Sequence, residues 1–186
     1  MPLDESPWTF DSVREVYANP WIAVTERVGT RPDGAPARYG IVHAKVAVGV
    51  VPLTEDGRVV LVGQWRVPLD RWSWEIPEGG VDDDEDPDGA IARELREEAG
   101  YVAARWERLG GPVHLSNSHS DETALLYLAT DLTHVGAAPD GDEVLEVITP
   151  TVDEAIGMVD RGEITDAMSV IALLRFARLG GGPTPG

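Results

Sequence analysis

Residues 79–101 read Gly79-Gly80-Val81-Asp82-Asp83-Asp84-Glu85-Asp86-Pro87-Asp88-Gly89-Ala90-Ile91-Ala92-Arg93-Glu94-Leu95-Arg96-Glu97-Glu98-Ala99-Gly100-Tyr101. Ile91, Ala92, Leu95 and Ala99 recur at helical spacing, and Gly100 is a helix stop, so the stretch predicts a helix over 90–99. A Gly- and Asp-rich loop, 78–89, leads into it. On the helix, Glu94, Glu97 and Glu98 fall within an arc of roughly 100°. Three carboxylates on one arc repel one another, and Arg93 and Arg96 offset only part of this. Such a face is either a solvated acidic surface or a cation site. Mg²⁺ and Mn²⁺ are hard ions that take oxygen ligands and suit carboxylates at this spacing.

Outward from this helix the pattern is mostly strand. Residues 22–29 alternate, Arg31-Pro32-Asp33-Gly34 is a turn, and a return strand runs through Tyr39 to Val42, giving an N-terminal antiparallel pair. Lys45 to Leu53 is an apolar run. Glu55-Asp56-Gly57 turns it into 58–64, its expected hairpin partner. Strands are also expected over Trp72–Ile76, Trp106–Leu109, Thr123–Thr130 and Val144–Ile148. Asp153 is the expected N-cap of a helix over 154–161. Thr165 is the expected cap of an apolar helix over 166–179. One helix set among strands and two at the end predict an α+β fold, a mixed-sheet α/β/α sandwich carrying the N-terminal strand pair.

Taken whole, Gly79, five residues, Glu85, seven residues, then Arg93-Glu94-Leu95-x-Glu97-Glu98-x-Gly100-Tyr101 resembles the signature of the Nudix hydrolases at every fixed-identity position. Tyr101 stands where that family usually has an aliphatic residue. The resemblance implies a loop–helix–loop holding divalent metal, Mg²⁺ or Mn²⁺, against a diphosphate. It makes Glu94, Glu97 and Glu98 metal ligands, with the backbone carbonyl of Glu78 or Gly79 adding another. Arg93 orients the glutamates, Glu85 braces the box, and Gly79 and Gly100 permit its turns. Glu97, Glu98 and Arg93 are thereby placed in the catalytic machinery. A negative substrate and a negative site need metal between them, which also activates water and stabilises the leaving phosphate.

The flanks Gly63-Gln64-Trp65-Arg66, Trp74-Glu75-Ile76-Pro77-Glu78-Gly79 and Gly162-Glu163-Ile164-Thr165-Asp166-Ala167 resemble the ADP-ribose and nucleoside-diphosphate-sugar branch. That branch implies an Arg66 that reaches the diphosphate and a Glu75 that meets a terminal ribose. The other reading is an ion pair between the two. It implies a general base on a late loop, for which Glu143 is the choice and Asp142 and Glu146 the rivals. It also implies a homodimer whose N-terminal segment builds the nucleotide pocket, where Trp8 or Trp21 would stack on the base. The chain departs from the branch at His114–Glu122, which lacks the usual Pro-Gly pair. Ser118 there is a candidate for a hydrogen bond to sugar or phosphate, or for satisfying a tight turn.

Composition narrows the classes. Fifteen basic against 33 acidic residues give a net charge of −18, which disfavours nucleic-acid and anionic membrane partners. The absence of cysteine excludes disulfides, thiolate metal sites and a cysteine nucleophile. The N-terminus has no basic-then-apolar signal pattern, and the expectation is a cytoplasmic enzyme. Its expected organisation is an N-terminal strand segment (1–44) for dimerisation and the nucleotide pocket, a Nudix hydrolase domain (45–179) and a flexible tail (180–186). The reading is metal-dependent hydrolysis of a nucleoside diphosphate sugar, ADP-ribose first. The rivals are another nucleotide sugar (ADP-glucose, GDP-mannose or a UDP-sugar) and a non-catalytic nucleotide sensor of the same fold.

Overall fold

A computed structural model describes residues 5–137 and 145–180. The chain forms two compact units, one of Met1–Lys45 with His114–Thr123, the other of Val46–Val113 with Ala124–Gly186.

The first unit is built on a three-stranded antiparallel sheet of β1 (Thr9–Ala18), β2 (Ile22–Thr30) and β3 (Pro36–Ala44), in that order. The expected pair is β2 and β3, joined by the Arg31–Gly34 turn, where Gly34 N donates to Arg31 O at 2.9 Å and Gly34 takes a positive φ of 84°. The third strand, β1, was not foreseen. Its polar residues do not alternate with apolar ones, and its own apolar residues Val13, Val16 and Tyr17 stay exposed, so it carries no period-2 burial signal. Segment His114–Thr123 is tied to β3: Val42 N donates to His119 O (2.8 Å) and Asp121 N to Val42 O (3.2 Å). His43 sits between Asp121 (Nδ1 to Oδ2, 2.5 Å) and Thr25 (Nε2 to Oγ1, 2.7 Å). The hydrogen bond from His43 holds the Asp121 carboxyl below its ordinary range.

The second unit holds two sheets. β4 (Ala47–Pro52), β7 (Glu78–Gly80), β8 (Tyr101–Arg108), the two-residue β9 (Val113–His114) and β10 (Thr123–His134) form a mixed sheet in the order β7-β4-β10-β8, with β9 beside β10. β4 and β10 are parallel, in register from Ala47 with Ala124 to Pro52 with Ala129, and the β10–β8 and β4–β7 pairs are antiparallel. β5 (Leu61–Arg66), β6 (Arg71–Glu75) and β11 (Glu146–Ile148) form an antiparallel sheet ordered β11-β5-β6. The expected hairpin of 45–53 with 58–64 therefore holds only at its turn. Leu53 bridges Val59, and Gly57 N donates to Thr54 O, but beyond that point β4 and β5 enter different sheets. Both strands are apolar on both faces, with Val48, Val50, Val51, Leu61 and Val62 fully buried. Such a run marks burial without saying which neighbour the strand takes.

Three helices cover these sheets: α1 (Pro87–Ala99), α2 (Val152–Asp160) and α3 (Ala167–Arg178). Along β4, Val48 and Val50 point to α1, where they pack with Ala90, Ile91, Leu95 and Ala99. Gly49, on the opposite face by strand alternation, lies against Ile76 and Met168 of α3, and a Cβ there would come within 2.9 Å of both. The sheet is thus sandwiched between α1 and α3, the expected α/β/α arrangement. Ala92 stays exposed.

All three helix starts differ from expectation, and each is set by the side chain that caps it. α1 begins a turn early, since Asp86 accepts from Gly89 N (2.8 Å) and Pro87 occupies the first helical position. Thr151, not Asp153, caps α2, in a reciprocal capping box with Glu154. Asp166, not Thr165, caps α3, accepting from Ser169 N at 2.7 Å.

Candidate active site

α1 presents its acids toward the turn that precedes β7. At the helix centre, Arg93 gathers the box. Its Nε and Nη2 pair with both oxygens of Glu85 (3.2 and 3.0 Å). Its Nη1 donates to Glu94 Oε1 (2.8 Å) and Glu97 Oε2 (3.1 Å), and Nη2 also reaches Gly80 O (3.3 Å). The Glu85 carboxylate above all, with Glu94 and Glu97, raises the guanidinium pKa above its ordinary value. The helix brings Glu94, Glu97 and Glu98 to one side, but they are not equivalent. Glu97 is the most open, whereas Glu98 is 6% exposed and its Oε2 accepts Glu78 N at 3.0 Å. Glu94 lies directly against Gly79, so that a Cβ there would displace the Glu94 carboxylate.

The second half of the site comes from the β5–β6 hairpin. Arg66 Nε contacts both oxygens of Glu75 (3.0 and 3.1 Å), Nη2 binds Glu75 Oε2, and Nη2 also faces Glu78 Oε1 at 3.4 Å. Burial works against the charge on Arg66, but the Glu75 hydrogen bonds together with the charges of Glu75, Glu78 and Glu98 more than offset it, so its pKa is raised. Glu75 is 2% exposed, so its two oxygens face Arg66 rather than solvent. Glu78 was expected to contribute through its main chain. Its side chain is also buried, and burial first, then the negative Asp166 and Glu75 nearby, push its carboxyl well above the usual range, while Arg66 pulls the other way. Glu78 Oε2 is buried with no hydrogen-bond partner among the described residues.

The remaining candidates lie elsewhere or outside the described residues. Glu143 and its rival Asp142 fall in 138–144 and lie outside them. Glu146 opens β11, exposed, opposite Gly63. In the first unit, Trp8 stacks on Phe10 (centroids 6.3 Å apart) and meets Tyr39 edge-on (5.9 Å). Trp21 is 74% exposed. Ser118 Oγ contacts His119 Nδ1 at 3.1 Å, and its carbonyl accepts from the Tyr39 hydroxyl. Two residues near the site drew no role from sequence. These are Asp166 beside Glu78 and Ser169, whose Oγ accepts Ile76 N at 3.0 Å. Asp166 is the cap of α3, and Ser169 is a lone hydroxyl on its apolar stripe, next to Met168 and one turn before Ala172 and Leu173, and so carries no periodic signal.

Among the described residues, no three acidic or histidine side chains stand grouped as a closed cation site. In this arrangement the Arg93 guanidinium holds Glu94 and Glu97. The donor set nevertheless fits a hard divalent cation. It offers carboxylate oxygens on one helix face, a buried Glu78 oxygen without a partner and a glycine that leaves Glu94 its room.

The family model described as NUDIX domain matches residues 43–170. The chain is 33% identical over 144 residues to the ADP-ribose pyrophosphatase of Bacillus subtilis (strain 168), covering 76% of this chain and 77% of that protein. It is 35% identical over 144 residues to the methanol dehydrogenase activator of Bacillus methanolicus, with the same coverage. A crystal structure of an ADP compounds hydrolase superposes with a TM-score of 0.81 over 94% of this chain and 95% of that one, at 21% identity, a likeness of fold.

Proposed function

The chain belongs to the NUDIX domain family, and on that footing we propose that this hydrolase cleaves the diphosphate of a nucleoside diphosphate sugar, ADP-ribose foremost. Water adds to one phosphorus, the bridging P–O bond breaks, and the products are AMP and ribose 5-phosphate. The observation that carries the reading is the carboxylate set of α1 beside the Glu78–Gly79 turn, with Glu98 fastened to Glu78 N and Glu94 seated against Gly79. A sensor that only binds a nucleotide has no use for three mutually repelling acids.

Members of this family generally require a divalent metal ion. Glu94, Glu97, Glu98 and the Glu78 carbonyl would hold it here, Mg²⁺ or Mn²⁺ by the oxygen-only donor set. When bound, it supplies Lewis-acid polarisation of the phosphoryl oxygens and lowers the pKa of bound water. The chain's own residues do the rest. Arg93 keeps Glu94 and Glu97 in place through Nη1 while anchored on Glu85. Arg66 is held at Nε and Nη2 by Glu75, which directs its remaining guanidinium edge to a diphosphate oxygen. Glu143 takes the proton of the attacking water. Trp21, exposed in the first unit, stacks on the base, with Trp8 as the alternative, and Ser118 contributes a hydroxyl to the sugar. A homodimer in the cytoplasm completes the reading, with 1–44 as its dimerisation and nucleotide segment and 45–179 as the catalytic domain.

The test is product release from a panel of nucleoside diphosphate sugars and nucleoside triphosphates, with and without Mg²⁺ or Mn²⁺. Metal-dependent cleavage of ADP-ribose well above the rest is the expected result. Preference for ADP-glucose, GDP-mannose or a UDP-sugar would keep the chemistry and move the sugar assignment to residues 114–122. Binding without turnover across the panel would replace the enzyme with a sensor.

A further inference from the structure

The turn that leads into β7 is gripped at both of its amides. Pro77 has no N–H, so Ile76 and Glu78 carry the donors of residues 76–78. Glu78 N donates to Glu98 Oε2 on α1, and Ile76 N donates to Ser169 Oγ on α3, each at 3.0 Å. Pro77 O in turn accepts Val50 N at 3.0 Å. The two helices lie on opposite faces of β4, so the turn is held from both sides of the sheet.

Ser169 is fully buried, on the stripe that carries Met168, Ala172, Leu173 and Phe176. A hydroxyl there must be desolvated, and alanine would favour the helix more. Its own amide is fixed by Asp166 Oδ2, the α3 cap, which sets the height of the hydroxyl relative to the turn. Packing alone gives no reason for a serine at this place. The hydrogen bond to Ile76 N does.

We propose that Ser169 is a positioning residue for the cation-facing turn 76–79, acting through the Ile76 amide as Glu98 acts through the Glu78 amide. The proposal rests on the reading of Glu78, Glu94, Glu97 and Glu98 as cation ligands. Ser169 touches neither cation nor substrate. It fixes the main chain on which Glu78 sits, as groups behind a metal ligand do.

The test uses the full chain, Mn²⁺ alone as the probe, and the variants Ser169→Ala and Ser169→Cys, the latter keeping a weaker acceptor of similar size. Ser169→Ala should weaken Mn²⁺ binding about 10-fold, the range seen when a support behind a ligand is lost, with Ser169→Cys in between. Turnover of ADP-ribose by Ser169→Ala should recover as Mn²⁺ is raised, which a merely damaged fold would not do. In metal-free protein, amide exchange should quicken at Ile76 and at Glu78 together. Should Ser169→Ala fail to fold, Ser169→Cys carries the same comparison. Parent-like Mn²⁺ affinity, within twofold, in a folded variant overturns the proposal. A parent that itself binds no Mn²⁺ overturns the cation reading and this proposal with it, and parent-like exchange at Ile76 overturns the positioning alone.

Discussion

Gly79 and Glu94 are packed so closely that a Cβ on residue 79 would stand 2.0 Å from Glu94 Oε1 and 2.3 Å from its Cδ. The obstruction is the far end of a flexible side chain, not main chain. Gly79→Ala should therefore leave the fold standing and swing the Glu94 carboxylate away. Turnover should fall about 10- to 100-fold with cooperative melting retained. Parent-like turnover in this variant would mean that the place of Glu94 is not what matters.

Glu98 has two separable tasks, an acceptor for Glu78 N and a charge. Glu98→Gln keeps the acceptor and removes the charge, so it should remain folded and lose turnover by at least about 10²-fold. Glu98→Ala also strands a main-chain donor, adding a loss of about 1 to 2 kcal/mol in chemical denaturation. If the two variants melt alike, the hydrogen bond at 3.0 Å contributes little.

The Arg66–Glu75 pair is lopsided, with the Arg66 side chain 36% exposed and that of Glu75 3%. Glu75→Ala leaves the cation over an emptied site. The expected loss is about 2 to 3 kcal/mol, below that of a fully buried pair because Arg66 still reaches water. Exchanging both residues for methionine should cost less stability than Glu75→Ala alone. The double variant should still lose substrate affinity, read as a raised KM for ADP-ribose. An unchanged KM would make Arg66 purely structural.

At α2 the cap decides a contest between neighbours. Thr151→Ala should cost about 1 kcal/mol, whereas Asp153→Ala should stay within about 0.5 kcal/mol. Equal losses on urea denaturation would mean that the Thr151–Glu154 box is not what starts the helix.

The parts of the site that lie on one helix were legible from sequence, because the spacing of Glu94, Glu97, Glu98 and Arg93 fixes their shared face whatever surrounds them. Relations across strands were legible only in part. The Arg66–Glu75 ion pair was one of two readings open from sequence, and the structure makes it, although the β5–β6 register sets Arg66 opposite Arg71 and Glu75 opposite Val62. Asp166, whose charge acts on the Glu78 carboxyl, caps α3 and stands more than eighty residues later in the chain. Ser169 was passed over because a lone serine in an apolar helix has no periodic signal, and its meaning comes from an amide on another element. The same limit hid β1, whose partner lies along its backbone rather than beneath its side chains.

Arg93 gives the acids of α1 a counter-ion that is part of the chain and cannot be dialysed away. Glu85, Glu94 and Glu97 share the one guanidinium of Arg93. The repulsion among these acids is therefore partly offset by a charge built into the chain. Exhaustive chelation should silence the enzyme without unfolding it, and readdition of Mg²⁺ should restore turnover with no refolding lag. On the proposed reading, the metal would serve the chemistry and not the fold.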